Sequence, residues 1–241
     1  MPRNLYVCFT CLRDSALLPI HYAALQRAVP GAPVYYVYDT HEAGGATVPA
    51  GAFKVRADFP RNGNLLGLEC HLGMLRTMQF LARRHPQANV VKIDSDVFLL
   101  SDYFLSTLGA EHDMVGVAPA KSYYCKGTCY GMTPGIIDKV IHYLSDGYQD
   151  RSNRLEDSVI SMVAAIVSEA NKVRIHNAAN ADESEILYTI FHKAFLEFPD
   201  ALHNVRGFLD CGDPLFTGDY PDATAAKVKA MQFVLQHLRK K

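Results

Sequence analysis

Short apolar runs alternate with helical stretches along the chain, and the runs differ in kind. Asn4 to Thr10, Val34 to Tyr38 and Asn89 to Ile93 are nearly continuous in apolar or β-forming residues. That is the pattern of strands buried on both faces of a sheet. Phe53 to Ala57 reads as a weaker strand, and Met114 to Ala118, Cys129 to Met132 and Lys172 to His176 as short ones. Between them the period lengthens. Asp14 to Val29 sets Leu17, Leu18, His21, Leu25 and Ala28 near helical spacing, and Pro30-Gly31 ends it. Leu65 to Arg84 carries a long helical pattern behind the turn residues Asn62-Gly63-Asn64. Thr133-Pro134 opens another helix, and Glu156 to Glu169 is helical. Ala223 to Leu238 is amphipathic, with Val228, Met231, Val234, Leu235 and Leu238 on one side, and predicts a packed terminal helix. This order predicts an α/β fold: one domain with a mostly parallel central sheet flanked by helices.

Charge and composition narrow the classes. The 241 residues carry 24 Lys plus Arg against 25 Asp plus Glu, a net charge of −1. So balanced a chain has no broad field for nucleic acid, and none is expected as a partner. No apolar stretch is long enough for a transmembrane segment. The run Leu5 to Leu12 after Arg3 stops at Arg13-Asp14 without a small-residue cleavage site, so it reads as the first strand and a cytoplasmic location is expected. Cysteines at 8, 11, 70, 125, 129 and 211 include two close pairs, Cys8/Cys11 and Cys125/Cys129. Together these could form a four-thiolate zinc site. Cys8 lies inside an apolar strand, however, where a thiol acts as a small hydrophobe, and knuckle glycines are missing around both pairs.

The most informative segment is Val90 to Leu100, in which Asp94-Ser95-Asp96 follows an apolar strand. Ligand sites of open α/β sheets lie outside the carboxyl ends of strands. Two carboxylates there can hold a divalent cation through hard oxygen donors and leave positions for phosphate and water. The simpler reading is an acidic turn. Burial of the surrounding apolar residues disfavours uncompensated carboxylates, and a metal would relieve that.

Ile93-Asp94-Ser95-Asp96-Val97-Phe98 resembles the Asp-x-Asp motif of the GT-A class of nucleotide-sugar glycosyltransferases. The likeness covers roughly residues 3 to 210 as an order of elements. It implies a Rossmann-like domain with a nucleotide-binding half over 1–110, an acceptor-side half over 111–210 and a tail and helix over 211–241. It further implies that Asp94 and Asp96 bind Mn²⁺ or Mg²⁺ and, with Ser95, the ribose and diphosphate of a donor, most simply a UDP-sugar. Thr10, Arg13 and Asp39 match the nucleotide-contacting positions after the first two strands.

Glu156-Asp157 resembles the family's acidic pair at the start of an acceptor-side helix, where one carboxylate is the general base of inverting members. Asp157 is the preferred base and Glu156 the second choice; helix-terminus stabilisation is the plainer role for both. His203 is the candidate third metal ligand, with His176 its rival, and Arg206 could contact the diphosphate. Tyr123, Tyr124 and Tyr130 could stack on a sugar or lipid-linked group, though core-edge packing is the commoner role of a tyrosine. The implied activity is inverting, metal-dependent transfer of a sugar to a hydroxyl of a glycan, lipid-linked or protein acceptor. Asp-Ser-Asp-Val-Phe-Leu is also similar to the nucleophile motif of haloacid-dehalogenase-type phosphatases, but that motif sits on the first strand and here it follows a later one. A non-catalytic nucleotide-sugar-binding protein is the third reading.

Overall fold

The computed structural model describes residues 4–40, 42–58, 67–97, 99, 102–118, 129–148, 156–170 and 172–177, with 228, 231, 232 and 235 near the C-terminus. Among them, β1 (Asn4–Phe9), β2 (Val34–Asp39), β3 (Phe53–Ala57), β4 (Asn89–Ile93), β5 (Met114–Ala118), β6 (Cys129–Met132) and β7 (Val173–Asn177) form one sheet in the order β3-β2-β1-β4-β6-β5-β7. β1 pairs in parallel with both β2 and β4, so the three strongest apolar runs are neighbours. β2 with β3 and β5 with β7 are also parallel, whereas β6 runs antiparallel to β4 and β5. The sheet is therefore mixed, which a four-residue run could not announce, because periodicity carries no strand direction.

The helices are α1 (Leu18–Ala28), α2 (Leu68–Arg84), α3 (Pro134–Ser145) and α4 (Glu156–Val167). α1 begins later than its pattern predicts. Leu12–Asp14 forms a single 3₁₀ turn, and Pro19 then falls in the first turn of α1, where its missing amide is not needed. α2 starts behind Gly67, whose φ of 94° suits glycine; the expected start at Leu65 lies outside the described residues. α3 is capped by the Thr133 side chain, which accepts the Ile136 amide. Residues 228, 231, 232 and 235 are helical and Met231 is fully buried; the rest of the terminal pattern lies outside the described residues.

Alternation along each strand builds a core on both faces. β1 sends Leu5, Val7 and Phe9 to a cluster shared with α2, α3 and α4, and Tyr6 and Cys8 to a second cluster shared with α1. β4 follows suit, with Val90 in the first cluster and Val91 and Ile93 in the second. That period puts Lys92 on the α4 side. On the opposite face a Cβ at Gly131 would lie 2.5 Å from Leu108 Cδ2 and 3.0 Å from Leu105 Cδ2, so the 3₁₀ turn Tyr103–Leu105 and Leu108 pack directly on the β6 backbone.

His21 of α1 is fully buried against β2. Its Nδ1 lies 2.9 Å from the Tyr36 hydroxyl, which itself donates to the Leu18 carbonyl at 3.3 Å. The ring therefore donates through Nδ1, and Nε2 has no hydrogen-bond partner among the described residues. Burial lowers the His21 pKa from 6.5 to about 4, with Asp96 acting in the opposite direction. The folded chain thus keeps the ring neutral while the unfolded chain protonates it. Stability should fall as pH drops from 6.5 towards 4, by about 3 kcal/mol. Melting curves of wild type and His21→Gln across that window check this. Gln keeps a hydrogen bond to Tyr36 without titrating, so the variant should show a flatter profile; identical slopes would refute it.

Candidate active site

Winding outward from β1 to β2 to β3, the chain crosses back to lay β4 on the other side of β1. The order of strands reverses between β1 and β4, and such a switch leaves a crevice outside their carboxyl ends. Asp94-Ser95-Asp96-Val97 leaves β4 there as one turn, the Val97 amide donating to the Asp94 carbonyl at 3.2 Å. Val97 and Leu99 are buried and anchor the turn's exit. Ser95 is buried, while Asp94 and Asp96 are half-buried.

Under this turn lies Lys92, whose side chain is 1% exposed. Its Nζ donates to Asp94 Oδ1 at 2.6 Å and to Glu156 Oε1 at 3.3 Å. Residues 92 and 156 meet because β4 ends where α4 begins. Tyr130, the register partner of Lys92 on β6, places its ring centroid 5.9 Å from Nζ. Burial works against the Lys92 charge, but Asp94 and Glu156 outweigh it and hold the pKa above the ordinary lysine value. For Asp94 the balance goes the other way. Burial, with Asp96 and Glu156 as negative neighbours, outweighs Lys92 and lifts its carboxyl to about 6.

Glu156 and Asp157 are both buried in the first turn of α4. Asp157 Oδ1 accepts the Ser158 amide at 2.6 Å and its hydroxyl at 3.3 Å, so this carboxylate also stabilises the helix start. The Tyr130 hydroxyl has no hydrogen-bond partner among the described residues, and burial, then Glu156, raises its pKa, with Asp157 and Asp94 adding and Lys92 opposing. Tyr130 is fully buried and thus a core residue, not a platform open to a sugar.

The structure thus brings Asp94 and Glu156 together through Lys92, with Asp96 and Asp157 next to them in sequence. The remaining predicted residues lie along the same sheet edge or beyond the description. Thr10 is fully buried after β1, its amide donating to the Val37 carbonyl at 3.0 Å. Arg13 has a side chain 79% exposed and lies 3.7 Å from Asp14. Asp39, at the end of β2, accepts the Glu42 amide at 3.0 Å, and Glu42 in turn accepts the Leu12 amide at 3.2 Å. Glu42, which the motif reading missed, therefore ties the loop after β2 to that after β1. His176 sits on β7 in register with Val117. His203, Arg206, Tyr123, Tyr124 and Cys125 lie outside the described residues. Cys8 and Cys129 are buried in the second core, and Cys11 is half-buried.

Lys92 is the other residue that the motif reading missed. A lysine inside an otherwise apolar buried run is itself a signal, since a buried ammonium needs a partner. Sequence does not say which carboxylate answers it.

Among the described residues no three His, Cys, Asp or Glu side chains converge closely enough to hold a metal ion. The donor set still fits a hard cation that shares its coordination with phosphate and water. Two carboxylates occupy one turn, and Asp94, lifted by burial with Asp96 and Glu156 adding to it, lies where a divalent cation would favour the ionised form. No helix among the described residues is long and apolar enough to cross a membrane.

No family model matches the chain, and neither does any curated protein. Among solved structures that resemble it is the crystal structure of the glycosyltransferase GlyE in Streptococcus pneumoniae TIGR4, with a TM-score of 0.44 and 11% identity. That match covers 71% of this chain and 45% of the other, so this chain spans less than half the length of its neighbour. A likeness of that size says nothing about chemistry.

Removing one partner of a buried ion pair strands the other charge. Lys92→Met should therefore lower stability by about 3–5 kcal/mol. Adding Glu156→Gln should recover part of the loss, because one stranded carboxylate is neutralised. Denaturant unfolding of the three proteins checks this, and a single variant as stable as wild type would contradict it.

Proposed function

We propose that the chain is a glycosyltransferase that moves a sugar from a nucleotide-sugar donor, a UDP-sugar in the simplest case, to an acceptor hydroxyl. The observation that carries this reading is the meeting of the Asp94-Ser95-Asp96 turn with the acidic start of α4 at the reversal point of the sheet. One pair of carboxylates lies where open α/β sheets take nucleotides, and Glu156 of the second pair shares the ammonium that holds Asp94.

In this reading Asp96 and the Asp94 oxygen not held by Lys92 would hold Mn²⁺ or Mg²⁺, with His203 the candidate third ligand. Such a cation, when bound, neutralises charge growing on the leaving diphosphate. Ser95 and Asp39 border the nucleotide, with Thr10, Arg13 and Arg206 the further candidate contacts. The charge of Glu156 is engaged by Lys92, which leaves the base role to Asp157. Asp157 takes the proton of the acceptor hydroxyl as that oxygen attacks the anomeric carbon from the face opposite the diphosphate, giving inversion. Acceptors in keeping with this site are glycan, lipid-linked or protein hydroxyls.

Two variants test the two carboxylate pairs. Asp96→Ala should abolish divalent-dependent UDP binding in calorimetry and leave the melting point close to wild type, since a half-buried turn residue contributes little to the core. Binding equal to wild type would reduce the motif to a turn. Asp157→Asn should leave donor affinity almost unchanged and lower transfer by roughly 10²- to 10⁴-fold, with the loss shrinking as pH rises. Because Asn serves a helix start nearly as well as Asp, full activity would assign Asp157 to helix stability alone.

A further inference from the structure

The Asp-x-Asp turn and the start of α4 are separated by about sixty residues of chain, yet one buried side chain touches both. Lys92 contributes a single ammonium, 1% exposed, within 2.6 Å of Asp94 Oδ1 and 3.3 Å of Glu156 Oε1. Its backbone is fixed on both sides, paired with Val7 of β1 and Tyr130 of β6. The Tyr130 ring, fully buried, closes the pocket on the sheet side. The backbone of Lys92 therefore stays in place, and a carboxylate that moved away would stretch or break its hydrogen bond to Nζ. Moving Asp94 or Glu156 would leave the ammonium under-neutralised in the core, and a buried ion in that state is costly.

We propose that Lys92 is a positioning residue: through one ammonium held between two central strands, it clamps the Asp94 turn to the first turn of α4, so that the donor-side and acceptor-side carboxylates form one rigid unit. This deepens the glycosyltransferase reading and rests on it for its chemical consequence. The clamp has two effects. It holds Asp94 with one oxygen committed, so that only the other is presented to a cation and diphosphate. It also uses the Glu156 charge within the protein, which separates the roles of two adjacent carboxylates that sequence cannot tell apart. Guanidinium in place of ammonium reaches both partners with different geometry, so Arg should restore the clamp in part, while Met, of similar length but neutral, should not.

The experiment has a ligand-free arm and a ligand arm. In the first, Asp94→Asn and Glu156→Gln are made singly and together, and unfolding midpoints are read. Each single variant removes one of the two described counter-charges in contact with Lys92, and the pair removes both. The double variant should therefore lose more than the sum of the single shifts, and the excess should vanish in a Lys92→Met background. Additive shifts would overturn the clamp. In the second arm, MnCl₂ with UDP is titrated by calorimetry into wild type, Lys92→Met/Glu156→Gln and Lys92→Arg. The Met/Gln variant carries the compensating neutralisation, so that it can be tested folded. Its affinity should drop roughly 10- to 100-fold, the usual effect of losing a group that orients a metal ligand, with Lys92→Arg intermediate. Wild-type affinity in the Met/Gln variant would reduce Lys92 to a core ion pair. If wild type itself binds neither UDP nor other sugar nucleotides with MnCl₂, the transferase reading fails, and the first arm still decides the clamp.

Discussion

A charged ammonium in the middle of a sheet is the constraint on which the site's arrangement depends. Taking an ion of this kind out of water costs several kcal/mol even after the protein relaxes. Lys92 sits on β4 between β1 and β6, at the end of the strand that the first turn of α4 reaches. Asp94 answers from the same strand, two residues on, and Glu156 from the first turn of α4. The start of α4 is thereby pinned over the end of β4 by charge as well as by the apolar contacts of Val159, Ile160 and Val163. Hydrophobic packing is non-directional and would tolerate a small slide or rotation of the helix. A shared ammonium at hydrogen-bonding distance tolerates much less.

His21 and Lys92 show how the same burial yields opposite outcomes. Both are fully enclosed and both feel negative charge from the Asp-x-Asp turn. For His21, burial outweighs the opposing charge of Asp96, so the ring stays neutral and hydrogen-bonds to Tyr36. For Lys92 two carboxylates are in contact, and their combined attraction outweighs the burial penalty. The two faces of the sheet consequently differ in character. The α1 face keeps its buried histidine uncharged, while the α4 face carries charges in mutual compensation.

Much of the fold was legible because burial on two faces leaves a plain signature. The runs at β1, β2 and β4 have almost no polar interruption, and they are the strands stacked at the centre of the sheet. β6 was legible as a strand but not in its direction, which depends on what crosses to it rather than on its four residues. The start of α1 was misplaced because Asp14 closes a 3₁₀ turn and Leu17, at helical spacing, sits in the turn that leads from it into the helix, and the period alone does not separate the two. At the site, Asp94 and Asp96 were visible because they interrupt an apolar pattern at a strand end. The contact from Lys92 to Glu156 was invisible: nothing in the spacing between them encodes it, and it exists only after α4 has folded back. Glu42 was hidden likewise, since an exposed-looking acid in a loop gives no hint that it receives the amide of Leu12.

The bare backbone at Gly131 has an implication for how a lineage of such chains could diversify. With Leu105 and Leu108 seated against β6, a side chain at 131 would have to push the ends of both leucines aside. Those two residues are thus seated on bare backbone because an atom is absent. Bulk added at 131 would have to be matched by smaller or re-aimed side chains at 105 and 108, so the three positions are coupled. Variation in what the crevice accepts is channelled instead into connections that leave the sheet without being pressed onto it. The stretch behind the Asp-x-Asp turn is in this sense the constrained side of the sheet, held by its own packing.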